Sequence, residues 1–345
     1  MSDPVEVIAP NLKRRLSGVT ATVVRLIPVQ ARMIGIRATG PGLPPEVPHL
    51  PLLRAATLPR DRWRVWHARR NTEMALGLIL RHLLRRKYRL MFTSASQRRH
   101  SGYTRWLIGR MDALVATSAK GAAYLDRPAT VIHHGIDTDR FAPPADRAAL
   151  RRQLGLPEHQ TLVGCYGRIR AQKGTGDFVS AMMALLPDRP QVTALVMGRA
   201  TEQHRAYLAE LRTRTSAAGL ADRILFLPET SVDRMADWYG ALDLYVAPQR
   251  WEGFGLTPLE AMACGVPVTA TDVGAFSELL TPASGTLVPA EDSTALQSAI
   301  ARWLDDPAAM AAAGRAARAH ALQVHGIEVE ARALVAIYRD LLDRP

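Results

Sequence analysis

The chain has little cysteine and no long apolar run. Only two cysteines, Cys165 and Cys264, occur among 345 residues, and each lies in an apolar stretch. This excludes a disulfide framework and is typical of a reducing compartment, so we interpret both as small buried side chains. The longest hydrophobic run, residues 74–84, contains Arg81 and is too short to span a bilayer. We therefore expect a cytoplasmic protein, with peripheral contact at the cytoplasmic face of the inner membrane as a further option.

Acidic residues are scarce in the first part of the chain. Residues 1–155 contain 27 Lys and Arg against 10 Asp and Glu, whereas residues 156–345 contain 17 against 22. The densest basic segment is 54–110, with 15 basic and 2 acidic residues. This asymmetry indicates a surface that meets an anionic partner, such as nucleic acid, lipid headgroups or a charged acceptor. A solvated basic face without a partner is the alternative.

Residues 74–90 combine leucine and isoleucine with basic side chains. This pattern fits a core helix with a solvated end. It equally fits docking on an anionic membrane surface, where each basic residue contributes about 1 kcal/mol.

Strands alternate with helices in both halves of the chain. Its length predicts two domains, which we place at residues 1–155 and 156–325, followed by a helix at 326–345 that packs back toward the first domain. The expected strands are 4–9, 34–36, 63–67, 90–94, 113–117 and 131–133, then 162–167, 192–197, 224–226, 242–248, 266–271, 276–280 and 285–288. The alternation predicts an α/β protein with two doubly wound parallel sheets of the Rossmann type, which bind ligands at the carboxyl ends of their strands.

Residues 248–260 read as the end of a strand, a glycine loop and the start of a helix. The segment places Glu252 and Glu260 on either side of that loop. Thr257 suits the N-cap, and Glu260 three residues later would complete a capping box. The open N-terminus of such a helix suits a phosphate group.

A second loop follows the expected strand 162–167. It carries Arg168 and Lys173, and two cations at this position suit a pyrophosphate, with arginine as a bidentate fork and lysine as a point charge. It is not a Walker A loop, because Gln172 and Gly174 replace residues that the motif needs. On its own, the loop is equally well explained as an ordinary solvated turn.

Together the two loops resemble the retaining GT-B glycosyltransferases of family GT4. The resemblance continues through residues 261–268 and 272–275 and includes residues 135–141. It is specific over 130–290 and looser in the first half. It implies a GT-B fold with two Rossmann-like domains facing a central cleft, a nucleotide-sugar donor as substrate, and neither a metal nor another cofactor.

The resemblance also implies roles for individual residues. Arg168 and Lys173 would hold the donor diphosphate and stabilise charge on the leaving group, Glu252 would face the donor sugar, and Glu260 would accept hydrogen bonds from the ribose. A capping role is the alternative for Glu260. The complete donor-binding set is Gly18, Arg168, Lys173, Glu252, Gly253, Phe254, Gly255, Leu256, Thr257 and Glu260.

In the first half, His67 ends an expected strand where GT4 enzymes often carry a histidine near the reacting sugar. Catalysis is therefore assigned to His67 together with Glu252, Arg168 and Lys173. The alternative for His67 is a hydrogen-bonded histidine at a strand end. The three residues that follow at the strand end are the expected acceptor-binding set: Arg69, Arg70 and Asn71.

Two further motifs contain potential metal ligands, but no metal site is expected at either. Asp137 and Asp139 form a D-x-D sequence, but they lie in the 135–141 turn of the resemblance, so we expect a structural role and no metal. His133 and His134 stand where the family usually has Pro-Asn, and their role is left open. Zinc is not expected because the sequence offers no third ligand.

The segments 66–71 and 248–260 are similar to those of mannosyltransferases of lipopolysaccharide core assembly. That similarity implies GDP-mannose as the donor and an anionic Kdo-lipid A glycolipid as the acceptor, which the basic first half also fits. Other donors, namely UDP-glucose, UDP-galactose or UDP-GlcNAc, acting on a different glycolipid or glycan, remain open. A GT-B nucleotide-sugar epimerase and a nucleic-acid-binding protein are weaker alternatives. The latter leaves Glu252 and Glu260 unexplained, so no nucleic-acid partner is expected.

Overall fold

The computed structural model describes residues 5–13 and 18–345. The chain divides into two compact units, one containing the residues up to Gly135 together with Ile327–Pro345, the other Ile136–Gly326. The change of unit at residue 135 precedes the expected boundary at 155, because the helix Arg147–Leu154 belongs to the second unit. There Arg151 is buried, and its Nε donates to the Ala241 carbonyl at 2.9 Å.

A parallel six-stranded sheet forms the centre of the first unit, in the order β2-β1-β3-β4-β5-β6. Its strands are β1 (Val7–Pro10), β2 (Ile36–Thr39), β3 (Arg64–Ala68), β4 (Tyr88–Ser94), β5 (Ala113–Ala116) and β6 (Thr130–Val131). Its helices are α1 (Gly18–Gln30), α2 (Leu52–Thr57), α3 (Asn71–Leu78), α4 (Gly102–Ile108), α5 (Ala119–Ala122) and α14 (Ile327–Asp343). Helix α3 continues into a wider turn over Ile79–Leu83.

The last helix completes the core of the first unit. The buried residues Ala331, Leu334 and Tyr338 of α14 share one apolar cluster with residues of α1 and β1. The Tyr338 hydroxyl also accepts a hydrogen bond from Gln30 at 3.3 Å. The amphipathic face that the sequence shows over residues 327–343 is therefore buried in this unit.

The second unit repeats the architecture, with its parallel strands in the order β12-β11-β10-β7-β8-β9. Its strands are β7 (Thr161–Tyr166), β8 (Val192–Met197), β9 (Ile224–Leu227), β10 (Leu244–Ala247), β11 (Val268–Thr271) and β12 (Gly285–Val288). Its helices are α6 (Arg147–Leu154), α7 (Thr175–Leu185), α8 (Arg205–Ala217), α9 (Met235–Gly240), α10 (Thr257–Ala263), α11 (Phe276–Leu279), α12 (Ser293–Asp305) and α13 (Pro307–Val324). The two Rossmann-like sheets confirm the predicted α/β class.

One element differs in type from the expectation. Residues 276–280 were expected to form a strand, but Phe276–Leu279 is the short helix α11. Phe276 and Leu279 are both buried at a spacing of three, which is helical, and a short apolar run does not distinguish the two structures by periodicity. Among the helices in the described part of the chain, none is long and apolar enough to cross a membrane.

A buried carboxylate fixes α14 to the chain segment after β6. Glu330 accepts hydrogen bonds from the His134 ring at 3.0 Å and from the Gly135 backbone N–H at 2.8 Å. Burial opposes ionisation of Glu330, but the adjacent His134 and the Gly135 N–H outweigh it, so the pKa of Glu330 is lowered. The sequence left the role of His134 open, and the structure gives it this contact.

We expect Glu330→Gln to lower the free energy of unfolding by about 2 kcal/mol at neutral pH, because it removes a charged acceptor from a buried site. A lowered pKa in the folded state contributes stability that is present above the unfolded pKa and is lost as pH falls through the folded value. The difference between wild type and variant should therefore persist from neutral pH down to the ordinary glutamate range and shrink below it. Urea unfolding at several pH values measures this, and a difference that grows on acidification would contradict it.

Candidate functional site

The loop after β7 presents two cations at the carboxyl edge of the second sheet. Strand β7 ends at Tyr166, and Arg168, two residues later, is exposed to solvent. A tight turn over Ala171–Lys173 then ends at Gly174, which has φ of +70° and precedes α7. The structure thus places Arg168 and Lys173 on a single strand-to-helix connection.

The second predicted loop follows β10, the strand next to β7. Because the two strands are parallel neighbours, their connections emerge at the same edge of the sheet. The backbone N–H of Arg250 donates to the Gln172 carbonyl at 3.0 Å, which joins the two loops directly. The Arg250 guanidinium also binds both carboxylate oxygens of Asp177 in the first turn of α7, at 3.0 and 2.9 Å.

The central contact of the site is an ion pair between Lys173 and Glu252. Lys173 Nζ donates to Glu252 Oε2, while Glu252 Oε1 accepts the Gly253 N–H at 2.9 Å. Both side chains are about one-fifth exposed, 20% for Lys173 and 19% for Glu252, so the pair is partly shielded yet reachable from solvent. Neighbouring cations and anions of this kind suit a ligand with both phosphate and hydroxyl groups.

The capping box predicted for α10 is wrong. The helix begins at Thr257 itself, Leu256 holds the N-cap position in a helical conformation, and no side chain caps the end. The reason lies in Gly255, whose φ of +91° turns the chain early. Thr257 therefore lies inside the first turn, and a hydroxyl at the cap, which the box requires, is absent.

Glu260 lies close to a group of buried tyrosines. Burial raises the pKa of Tyr239 well above its ordinary value, and the nearby Glu260 carboxylate adds to this effect. The rings of Tyr166, Tyr239 and Tyr245 pack with centroids 5.3 to 5.9 Å apart. Glu260, in the middle of α10, therefore lies beside a tightly packed aromatic cluster. Its ribose-binding role stays a prediction.

Two other residues of the predicted donor-binding set have different surroundings. Phe254 is buried, and its carbonyl accepts the Ala275 N–H at 3.1 Å, which ties the glycine loop to the connection after β11. Gly18 is the first residue of α1 in the other unit, and Ser17 before it lies outside the described residues. The predicted phosphate role of Gly18 stays a prediction.

His67 lies in the core of the first unit rather than on its surface. Its side chain is fully buried, Nδ1 is 2.6 Å from the Tyr338 hydroxyl, and Nε2 is 2.7 Å from Thr93 Oγ1. Burial lowers the pKa of His67 well below its usual range, and Arg69 nearby adds to this. These contacts match the hydrogen-bonded histidine at a strand end that the sequence left as the alternative. The catalytic role stays a prediction, and it requires one of these hydrogen bonds to open.

The three predicted acceptor residues take part in an internal network. Arg69 is 9% exposed, and its backbone N–H donates to Glu73 Oε2 at 2.8 Å. Arg70 pairs with the fully buried Glu73 at 2.7 Å. Asn71 donates to Thr104 Oγ1 at 2.7 Å. An acceptor would have to compete with these bonds, and the acceptor role stays a prediction.

Sequence reasoning missed Glu73, although it was one of only two acidic residues in the basic segment 54–110. An isolated acid three residues after Arg70 at a helix start indicates an ion pair. The network also includes Asn11, which accepts from Arg70 at 2.9 Å, and Thr20, which accepts from Arg70 at 3.1 Å. No local sequence pattern predicts these two partners, because they come from a different strand and helix.

The remaining motifs take structural positions. Asp137 Oδ1 accepts the backbone N–H groups of Asp139 and Arg140 at 3.2 and 3.0 Å, which closes a turn. Within the described ranges, no group of three or more His, Cys, Asp or Glu side chains is arranged to hold a metal ion. Cys165 and Cys264 are buried free thiols, as predicted, and burial raises the pKa of each to about 12.

The chain has two parallel Rossmann-like sheets, and a cationic loop and a carboxylate loop meet at the carboxyl edge of the second sheet. This architecture is that of the GT-B class of glycosyltransferases. A sequence model described as "Glycosyl transferases group 1" matches residues 146–320. The chain therefore belongs to the group 1 glycosyl transferase family, which confirms the GT4 resemblance, and it is a glycosyltransferase.

Individual relatives extend the match over nearly the whole chain. The chain is 55% identical to the "Lipopolysaccharide core biosynthesis mannosyltransferase LpsB" of Rhizobium meliloti, covering 98% of both chains. It is 52% identical to the "Lipopolysaccharide core biosynthesis mannosyltransferase LpcC" of Rhizobium leguminosarum, covering 98% of this chain and 97% of the relative. Among solved structures, Anabaena HepE in complex with UDP is similar with a TM-score of 0.84 at 20% identity, covering 97% of this chain and 100% of HepE. That likeness establishes the fold.

Proposed function

We propose that this chain transfers mannose from GDP-mannose to a lipopolysaccharide core acceptor of the Kdo-lipid A type, with retention of configuration and without a metal ion. The observation that carries the proposal is the 55% identity to a protein named as a lipopolysaccharide core mannosyltransferase, over 98% of both chains. The family model ends within the second unit, whereas this identity extends through the first. It therefore includes the part expected to bind the acceptor.

In this mechanism the leaving diphosphate is stabilised by the two cations after β7. Arg168 meets the phosphates as a fork, and Lys173 as a point charge. When the donor diphosphate binds Lys173, the lysine ammonium group contacts both the diphosphate and Glu252. Glu252 then has a carboxylate oxygen available for a hydroxyl of the donor sugar. Two positive charges beside the leaving group would supply the stabilisation that a divalent cation provides elsewhere. The bond between C1 and the diphosphate oxygen breaks, the acceptor hydroxyl oxygen bonds to C1 on the same face, and the hydroxyl proton passes to the departing diphosphate.

A donor panel tests the substrate assignment. The purified chain is incubated with GDP-mannose, UDP-glucose, UDP-galactose or UDP-GlcNAc, each with and without Kdo-lipid A. We expect GDP-mannose to be transferred at least about tenfold faster than any other donor, because a site that hydrogen-bonds base and sugar discriminates strongly between them. A preferred UDP-sugar would overturn the donor assignment. Conversion of the donor without acceptor would indicate an epimerase instead.

Two finer parts of the proposal have their own readouts. Retention predicts that the one-bond C1–H1 coupling of the transferred mannose matches that of the donor. Metal independence predicts unchanged turnover after EDTA treatment and dialysis. An inverted product overturns the first part, and loss of activity that Mg²⁺ or Mn²⁺ restores overturns the second.

Contact with an anionic membrane surface forms part of the proposal, because a glycolipid acceptor is embedded in one. Its support is the wider turn that continues α3, where Leu83 is 75% exposed and Ile79 is 47% exposed. Arg85 and Lys87 follow and are also exposed. Exposed aliphatic side chains next to basic ones match the chemistry of a negatively charged interface.

We expect the double variant Arg85→Gln with Lys87→Gln to bind anionic vesicles about thirtyfold more weakly than wild type, from about 1 kcal/mol for each of the two basic residues. Sedimentation with phosphatidylglycerol vesicles measures the binding, and pure phosphatidylcholine vesicles should bind little of either protein. The matched control replaces Arg205 and Arg212, two exposed arginines of α8 in the other unit, and should bind like wild type. Equal loss in both double variants would show that net charge alone is responsible.

A further inference from the structure

The second unit contains a cavity of about 580 Å³, which is within the range of small-ligand sites. It is lined by Thr161 at the start of β7, by Asp243 just before β10 and by Pro267 just before β11. The cavity therefore lies at the amino ends of these strands. The predicted donor loops follow the carboxyl ends of β7 and β10, so the cavity is separate from them.

Arginine dominates the charge of this cavity. Four arginines line it, Arg147, Arg151, Arg315 and Arg318, against two acidic residues, Asp243 and Glu158. Asp243 is already neutralised, because its carboxylate pairs with Arg147 at 3.1 Å and with Arg151 at 2.6 Å. The lining keeps an excess of positive charge, which favours an anion.

Two of the arginines have donors available for a ligand. Arg315 is exposed, and its guanidinium makes no hydrogen bond or ion pair with any residue that the structure describes. Among the described residues, the Arg318 guanidinium has partners only at Nη1, which donates to the carbonyls of Thr138, Phe141 and Ala263 at 3.0, 2.8 and 2.8 Å. These bonds hold the guanidinium in place, so its second amino group is preorganised for a phosphate oxygen.

One part of the lining is apolar, beside the polar residues His159, Gln160 and Thr161. It includes Pro143, Pro267, Pro307 and Met310. The wall between α10 and α13 is tightly packed, since a Cβ at Gly314 would lie 2.4 Å from the Gly265 carbonyl oxygen. A rigid apolar wall beside a fixed cation favours a ligand that has both an anionic and an apolar part.

We propose that this cavity binds a small phosphorylated ligand, with its phosphate at Arg315 and Arg318 and its apolar body against Pro267 and Met310. The site is distinct from the donor site, and both can be occupied at once. The proposal goes beyond the proposed function and does not depend on the identity of the sugar donor or acceptor.

Phenyl phosphate is a suitable probe because it joins a phosphate to an apolar ring. Isothermal titration is carried out with saturating GDP present, so that the donor site is filled. We expect one phenyl phosphate site in wild type and about tenfold weaker binding in Arg315→Gln, from the loss of one charge-assisted contact. Arg205→Gln, on α8, is the charge-matched control and should bind like wild type. Wild type without a site, or equal binding by Arg315→Gln and wild type, overturns the proposal.

A second pair of variants tests the location without a change in charge. Ala311→Trp fills the cavity, because Ala311 lines it, whereas the adjacent Ala312 is exposed but does not line it. We expect Ala311→Trp to abolish phenyl phosphate binding and Ala312→Trp to leave it intact, with the GDP affinity of both unchanged. Binding that survives in Ala311→Trp places the ligand elsewhere and overturns the proposal.

Discussion

Replacing Lys173 with alanine is expected to lower turnover by more than tenfold, toward a hundredfold, while the fold stays intact. A preorganised positive donor at a leaving group contributes about 3 kcal/mol to the transition state. Lys173 is the side chain whose ammonium group the structure holds beside Glu252 at the joined loops. The measurement is steady-state mannosyl transfer together with GDP affinity and thermal unfolding. Normal turnover in the Lys173→Ala enzyme would refute its assignment to the diphosphate.

A double-mutant cycle separates two explanations of that loss. If Lys173 acts only by holding Glu252, then Lys173→Ala, Glu252→Gln and the double variant should lose similar activity. If each residue also contacts the donor, the losses should be larger in the double variant than in either single one. GDP affinity distinguishes the two residues further, because a phosphate contact through Lys173 weakens GDP binding whereas a sugar contact through Glu252 does not. Arg205→Ala, which removes an exposed ion pair on α8, serves as the control.

Gly174→Ala is expected to have the second large effect, with loss of most activity and a clear decrease in the unfolding temperature. Gly174 has φ of +70°, and a Cβ there would lie 1.8 Å from the Pro248 carbonyl oxygen. That atom is backbone and has no rotamer to move into, so the two donor loops must separate. The resulting displacement would reach Lys173 on one side and residues 248–256 on the other.

Gly155 provides a matched control for the strain alone. Its φ of +68° is nearly the same, but a Cβ there would meet nothing within 4 Å. Gly155→Ala should therefore cost only about 1 kcal/mol of stability, the usual penalty for a left-handed alanine, and should keep full activity. Thermal unfolding and transfer assays on both variants check this. Similar behaviour of the two would mean that loop contact at Gly174 is unimportant.

In the second unit, some strand bounds predicted from the sequence agree with the structure. The strands 192–197 and 285–288 have the predicted bounds, because buried apolar segments between turn residues carry a strong local signal. Thr257 and residues 276–280 were assigned wrongly for the same kind of reason. In each case a glycine with positive φ, Gly255 or Gly274, redirects the chain just before the element.

In the first unit, the surroundings of His67 and Arg70 could not be predicted from the neighbouring sequence. The sequence places His67 at a strand end and leaves two roles open for it, and Tyr338, 271 residues later, lies 2.6 Å from its ring. Arg70 looked available for an acceptor, yet Glu73 and Asn11 bind it. In both places a partner decides the role of the residue, and the partner cannot be read from the surrounding sequence.

The sequence by itself determined the alternation of strands and helices, the two-sheet class and the glycosyltransferase family, because apolar periodicity and glycine-rich loops are properties of short segments. Only the tertiary structure decided that Lys173 meets Glu252, that Arg70 binds Asn11, and that His67 is enclosed. These contacts depend on how distant segments pack against one another. Packing is set by the shape and burial of the whole unit rather than by any one segment.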